Sequence, residues 1–299
     1  MTDYQPAAAS GMNWERHRER LVHVVTEDGF TLSGAMYTPT APEGPVATIV
    51  WTHGFTVSYD IPQWVRLGRE VAARGHRFLA GQNRGHDSGS WLWPSATNRP
   101  PKIGGGWWEC FEEAPRDVAA WMELARTDPG AGPLALFGHS FGTHRVLRYL
   151  SDRGDSQVDG IGLVSGNVRR HESVRANVVA LAREMVAQGR GEELLPAGSY
   201  ADFLGNDTVS AQTYLSWGGQ ALDLFGLQAA GVLAEVRRPI FACYGTKGDV
   251  GNEIDLALIR AKASSSSAVH TTMIEGADHG FLGAEVSLAE AIVEWVGSF

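Results

Sequence analysis

The chain has 299 residues, 43% of them hydrophobic and 20% charged, with a formal net charge of −9. That length and balance suit a folded protein with one large core or two smaller ones, and the acidic balance, without any basic block, excludes a surface built to track a phosphate backbone. The opening stretch Met1–Arg20 is polar and no run of roughly 18 apolar residues occurs, so neither a secretory signal nor a membrane span is expected and the expected location is the cytoplasm.

Residues 1–18 read as a loose leader. Two alternating runs, Leu21–Thr26 and Phe30–Tyr37, flank Glu27-Asp28-Gly29 and predict a hairpin. Val46–Thr52 is a continuous apolar run, as a strand covered on both faces requires. A helix is predicted from about Asp60 to Arg74, with Trp64, Leu67 and Val71 on one face and Gly75 as its stop. The alternation then repeats: strand His76–Gly81, helix Pro115–Ala125, a turn at Asp128-Pro129-Gly130, strand Leu134–Phe137, helix Phe141–Leu150 and strand Gly160–Ser165. Two further strands, Pro239–Tyr244 and Val269–Ile274, precede a closing amphipathic helix over Gly283–Phe299. Between Val168 and Val236 no strong buried strand appears. Val174–Leu195 is helical in pattern, and 168–236 reads as a helical insertion, a lid between core segments 19–167 and 237–299; plain structural elaboration is the competing reading.

The most informative segment is Gly138-His139-Ser140-Phe141-Gly142, which fits G-x-S-x-G between a predicted strand and a predicted helix. A serine on so sharp a turn has its hydroxyl lifted from the sheet edge, with a helix N-terminus behind it that favours developing negative charge. A hydroxyl needs a base, and His279 follows the last predicted strand. The base needs a carboxylate to fix its tautomer. Asp249, after the penultimate strand, is the first candidate; Glu253 and Asp255 are rivals, and Asp278 is disfavoured because adjacent side chains rarely face each other's ring. The order Ser…Asp…His is that of a strand-to-helix nucleophile turn. Oxyanion donors are expected in the backbone N–H groups of Phe141 and Phe55, the latter in the His53-Gly54-Phe55-Thr56 loop. His53 is expected to brace that loop, and Arg84 and Asp87 of Asn83–Gly89 to brace the loops around the site. Trp91, Trp93, Trp107 and Trp108 are candidates for an apolar pocket, and Trp107, Trp108 and His139 are the expected substrate contacts. No phosphate loop is present, since Gly104-Gly105-Gly106 lacks the following Lys and Ser/Thr. His139, His144, His171 and His270 show no metal spacing. Cys110 and Cys243 read as buried thiols.

The HGF, NRGHDSG, GHSFG, GTKGD and GADHGF segments, in this order, resemble the α/β-hydrolase family from about Val46 to Phe299. NRGHDSGS, GGGWWECFEE and GADHGFLGAE are similar to a bacterial branch related to fungal siderophore ester hydrolases. The resemblance implies a mostly parallel sheet of about eight strands, one of them antiparallel, with helices on both faces. It implies an acyl-enzyme mechanism without cofactor or metal. One departure is that many relatives carry the acid one position earlier, at the place of Gly248. The expected activity is hydrolysis of a carboxylic ester, lactone or thioester, EC 3.1.1 in type, on a small-molecule substrate. Acyl transfer or a lyase step by the same residues, and a ligand-binding receptor on this fold, are the alternatives. Monomer and homodimer are both open.

Overall fold

The computed structural model describes residues 16–42, 46–130, 132–169, 175–196, 208–220, 223–227 and 231–298. The strands are β1 (His17–Val25), β2 (Phe30–Pro39), β3 (Thr48–Thr52), β4 (Arg77–Gly81), β5 (Ser90–Pro94), β6 (Lys102–Gly104), β7 (Leu134–His139), β8 (Gly160–Val164), β9 (Ile240–Gly245) and β10 (Val269–Ile274). The helices are α1 (Pro62–Ala73), α2 (Ala114–Thr127), α3 (Phe141–Arg153), α4 (Ala176–Ala187), α5 (Ala211–Gln220), α6 (Glu253–Lys262) and α7 (Glu285–Val296).

Strands β3, β4, β7, β8 and β9 are buried at every position, which is why their sequences are apolar without alternation. Successive side chains still point to opposite faces. Ile49 and Trp51 pack with Trp64, Leu67, Leu288 and Ile292 of α1 and α7. Val50, Leu136 and Leu163 pack with Val118, Leu147 and Ile259 of α2, α3 and α6. The sheet is therefore the middle of three layers. Its order is β10-β9-β8-β7-β3-β4-β2-β5-β6, with β1 paired to β2. Pairs from β4 through β3 to β10 are parallel, while β2 runs antiparallel to β4, β1 and β5.

The described residues thus form a ten-stranded sheet rather than the expected eight. The additional hairpin, β5 with β6, was hidden because β5 points Trp91 and Trp93 outward, 58% and 61% exposed, and buries Leu92. An outward tryptophan erases the polar–apolar alternation by which a strand is read. Trp91 and Trp93, expected as candidates for an apolar pocket, thus lie with their rings largely in solvent. Strand β1 begins at His17, inside the end of the expected leader. The helix expected over Val174–Leu195 appears as α4, and Val174 itself lies outside the described residues, as do His171 and Phe299. Among the described residues no helix is long and apolar enough to cross a membrane.

Candidate active site

Four adjacent parallel strands end at one edge of the sheet, and the residues that follow them meet there. β7 stops at His139 and α3 starts at Phe141, leaving Ser140 alone at the corner. Its φ of 53° and ψ of −121° lie in a region that side chains other than glycine avoid. The corner closes because its neighbours lack side chains. A Cβ on Gly138 would come within 2.3 Å of the Gly142 carbonyl carbon, and one on Gly142 within 2.2 Å of the Thr52 oxygen. The G-x-S-x-G spacing is a steric requirement here. The Ser140 N–H donates to the Val164 carbonyl at 2.8 Å, tying the corner to β8.

The Ser140 hydroxyl donates to Nε2 of His279 at 3.1 Å, and Nδ1–H of His279 donates to Oδ1 of Asp249 at 2.9 Å. A carboxylate only accepts, so the proton sits on Nδ1 and leaves Nε2 free to take one. The His279 side chain is 36% exposed and that of Asp249 not at all. Oδ2 of Asp249 accepts from the Ser165 hydroxyl at 2.5 Å and the Gly245 N–H at 2.7 Å, and Oδ1 accepts from the Val250 N–H at 2.6 Å. Burial pushes the Asp249 carboxyl up, but the hydrogen bonds from His279, Ser165 and Gly245 outweigh it and hold the group below the usual carboxylate range. The rival carboxylates are engaged elsewhere. Asp255 caps α6 and pairs with Arg169 at 2.7 Å, and Oδ1 of Asp278 accepts from the Gly280 and Leu282 N–H groups of its own turn. Glu253 lies in the first turn of α6.

The loop after β3 approaches from the other side. A Cβ on Gly54 would lie 3.0 Å from the Cβ of Ser140, so the bare backbone abuts the hydroxyl-bearing residue. Among the described residues no acceptor takes the N–H of Phe55 or Phe141. His53 is fully buried; its Nδ1–H donates to Gly54 O at 2.8 Å and its Nε2 accepts from the Asn83 N–H at 2.9 Å. Burial, reinforced by the nearby Arg145 charge, pushes its pKa well below the ordinary imidazole value, so it is a neutral brace. Arg84 is nearly buried and pairs with Asp28, Glu113 and Asp117. Asp87 has a positive φ of 56° and its carbonyl takes the Gly106 N–H at 2.8 Å.

His139, expected to contact substrate, lies behind His279 instead. It is 5% exposed, packs among Trp51, Trp64 and Phe281, and its Nε2–H donates to the His279 carbonyl at 2.7 Å. Burial, with the neighbouring His279, pushes its pKa down to about 3. Trp107 is half-buried against the cluster formed by α4 and α5 together with Phe55, and Trp108 Nε1–H donates to the Glu192 carbonyl at 2.7 Å. Trp217 of α5 is fully buried, stacked on Phe141 with ring centroids 4.2 Å apart and set edge-on to Phe55 at 4.9 Å.

Three residues at this edge are not singled out by the sequence. Ser165 follows β8 as Ser140 follows β7, and its position at a buried strand's carboxyl end was the available signal. Arg145 lies on the buried face of α3, where helical periodicity calls for an apolar residue. Trp217 carries no local signal, because its contacts come from the fold. Among the described residues no group of three His, Cys, Asp or Glu side chains could hold a metal ion.

The chain shows its likeness to known proteins at this point. The family described as serine aminopeptidase, S33, matches residues 43–200, more than half of the chain, a span that includes Ser140 and ends before Asp249 and His279. Among solved structures, Est1E from Butyrivibrio proteoclasticus with bound ferulic acid is 14% identical, with a TM-score of 0.64 over 93% of this chain and 98% of that one. GrgF, an α/β hydrolase from Penicillium sp. sh18, is 15% identical, with a TM-score of 0.67 over 93% and 97%. The esterase Pf2001 of Pyrococcus furiosus is 14% identical, with a TM-score of 0.57 over 94% and 93%. No match occurs among curated proteins. At such identities the structural likeness speaks for the fold, and the sequence match for the family: the chain belongs to the α/β hydrolases of the serine aminopeptidase S33 family.

Proposed function

We propose that this chain is a serine hydrolase of ester-like bonds, with Ser140 as nucleophile, His279 as general base and Asp249 as the acid that orients it. The observation that carries the reading is the unbroken chain of hydrogen bonds from Ser140 Oγ through His279 to Asp249, at 3.1 and 2.9 Å, on a corner with a strained backbone. In this reading Ser140 Oγ attacks the carbonyl carbon while its proton passes to His279 Nε2. The backbone N–H groups of Phe55 and Phe141 hold the oxyanion. The tetrahedral adduct collapses, the carbon–oxygen bond breaks and the leaving alcohol takes the proton from His279. Water then enters, gives its proton to the same nitrogen and releases the acid, returning the proton to Ser140. No cofactor takes part.

The substrate class is a carboxylic ester, lactone or thioester. The described helices of the 168–236 insertion, α4 and α5, act as a cap over the edge, with Trp107 and Trp108 on the acyl side. Support for the cap comes from Trp217, which joins α5 to the residues carrying the oxyanion donors. His139 acts from behind, on the backbone of His279.

The test is turnover of p-nitrophenyl esters of rising chain length, beside a lactone and an aminoacyl p-nitroanilide. Ser140→Ala is expected to fold normally and to lose turnover by about 10⁵–10⁶-fold. Retained turnover in that variant removes the assignment. Faster cleavage of the anilide than of every ester marks a peptidase, the activity in the family's description. A trapped acyl product dominating over free acid, with a competing alcohol present, marks a transferase.

A further inference from the structure

A fully buried pair of charges near Ser140 belongs to none of the reacting side chains. Arg145 and Glu109 are both fully buried and form a two-pronged pair, Nε to Oε1 at 2.7 Å and Nη2 to Oε2 at 2.5 Å. The remaining nitrogen, Nη1, donates to the carbonyl of His53 at 2.7 Å and more weakly to that of Gly54 at 3.3 Å. We propose that the Arg145–Glu109 pair is a positioning device that fixes the Gly54–Phe55 peptide so that its N–H faces the oxyanion. The inference rests on the roles given above to Ser140 and Phe55.

The argument follows from the peptide plane. The Gly54–Phe55 bond is trans, since the described chain has no cis peptide. Its C=O and N–H therefore point in opposite directions as one rigid unit. The Gly54 oxygen is held by His53 Nδ1–H at 2.8 Å and by Arg145, and the preceding carbonyl is held by the same guanidinium. With both oxygens drawn toward α3, the Phe55 N–H is turned the other way, on a loop whose Gly54 abuts Ser140. A cation at the carbonyl end also polarises the peptide and strengthens its N–H as a donor. The guanidinium lies 4.9 Å from the centre of the Phe141 ring, so one group touches Phe141 and the carbonyl of the peptide whose N–H belongs to Phe55.

Three sequence segments converge on the pair. Glu109 comes from GGGWWEC, and its carbonyl accepts from Trp217 Nε1–H at 3.1 Å. NRGHDSG contributes Gly85, where a Cβ would lie 2.1 Å from Glu109 Oε2 and 2.9 Å from Arg145 Nη2. The loop that includes HGF supplies the carbonyls. A buried ion pair adds little stability over well-packed apolar side chains, so its use here is in fixing one geometry.

The experiment compares Arg145→Met/Glu109→Leu and Arg145→Lys with the wild type, using a p-nitrophenyl ester and a trifluoromethyl ketone inhibitor. The double substitution removes both charges together and leaves none unpaired. The expected result is a cooperatively folded protein with KM within threefold of wild type, kcat lower by about 100-fold, and inhibitor affinity weakened in parallel, as for loss of one oxyanion donor. A folded double variant with kcat within threefold of wild type overturns the proposal. Should it fail to fold, Arg145→Lys decides. One ammonium cannot serve Glu109 and two carbonyls in the guanidinium's fork, so kcat should fall at least tenfold at unchanged KM, and an unchanged kcat overturns the proposal. Labelling of wild-type Ser140 by a fluorophosphonate keeps the two readings apart. Absence of that label sinks the serine-hydrolase reading itself, whereas a labelled wild type with fully active variants sinks only the clamp.

Discussion

Asp249 accepts four hydrogen bonds, and only one of them comes from His279. The other three hold the carboxylate in place independently of the imidazole. Exchange to Asn would present an amide that cannot accept from all four partners, and it would favour the wrong tautomer of His279. Asp249→Asn is expected to lower kcat by about 10³–10⁴-fold with the melting temperature little changed. Ser165 gives a finer test. Its φ is 50°, so Ala at this position loses the hydroxyl and keeps the strain, whereas Gly loses both. Ser165→Gly should be more stable than Ser165→Ala by about 1 kcal/mol in urea unfolding. Both should lower kcat, since one of the hydrogen bonds that hold the carboxylate in place is lost. An unchanged kcat shows that the 2.5 Å contact does not position the carboxylate.

At the scale of elements, the corner from β7 to α3 is fixed by what its glycines exclude. A methyl on Gly142 would meet the Thr52 oxygen of β3 at 2.2 Å and the His53 oxygen at 2.8 Å, both of them backbone. Neither can yield without opening β3 from β7. Gly142→Ala is therefore expected to give a poorly folded or insoluble chain, seen as loss of the cooperative melt, while Gly75→Ser, with nothing within 4 Å, should fold, with a modest loss because its φ is 95°. The same contrast explains what was legible beforehand. G-x-S-x-G, the buried runs of β3 and β7, and the His after β10 announce themselves because each is a local requirement written in adjacent residues. The Arg145–Glu109 pair lies 36 residues apart and looks like two ordinary charges until α3 turns one of them inward. The β5–β6 hairpin was illegible for the opposite reason, a local pattern reversed by outward tryptophans. The insertion gave α4 but not α5, whose stretch reads as mixed apolar runs, nor the contact of Trp217 with Phe141, since stacking across the sheet edge leaves no periodicity.

For the molecule as a whole, two neutral imidazoles are built into the centre of the site. His53 and His139 are held below the ordinary value, mainly by burial, in the second case to about 3. Unfolded, both titrate near 6.5. Between those values the unfolded chain binds protons that the folded one does not, so stability is complete above about pH 6.5 and falls on acidification. His139 should contribute a loss of roughly 1.4 kcal/mol per pH unit over that window, and His53 a loss of the same sign. Urea unfolding at pH 7.5, 6 and 5 checks this, and His139→Gln should give the shallower slope. The sheet's geometry carries one more consequence. Ser140, Ser165, Asp249 and His279 follow β7, β8, β9 and β10, which are neighbours in space in the same sequence in which the ribosome makes them. A nascent chain thus acquires its hydroxyl early and its imidazole only when the last strand docks. Until β10 has been made and has docked beside β9, the serine hydroxyl at the β7 corner has no imidazole to lean on.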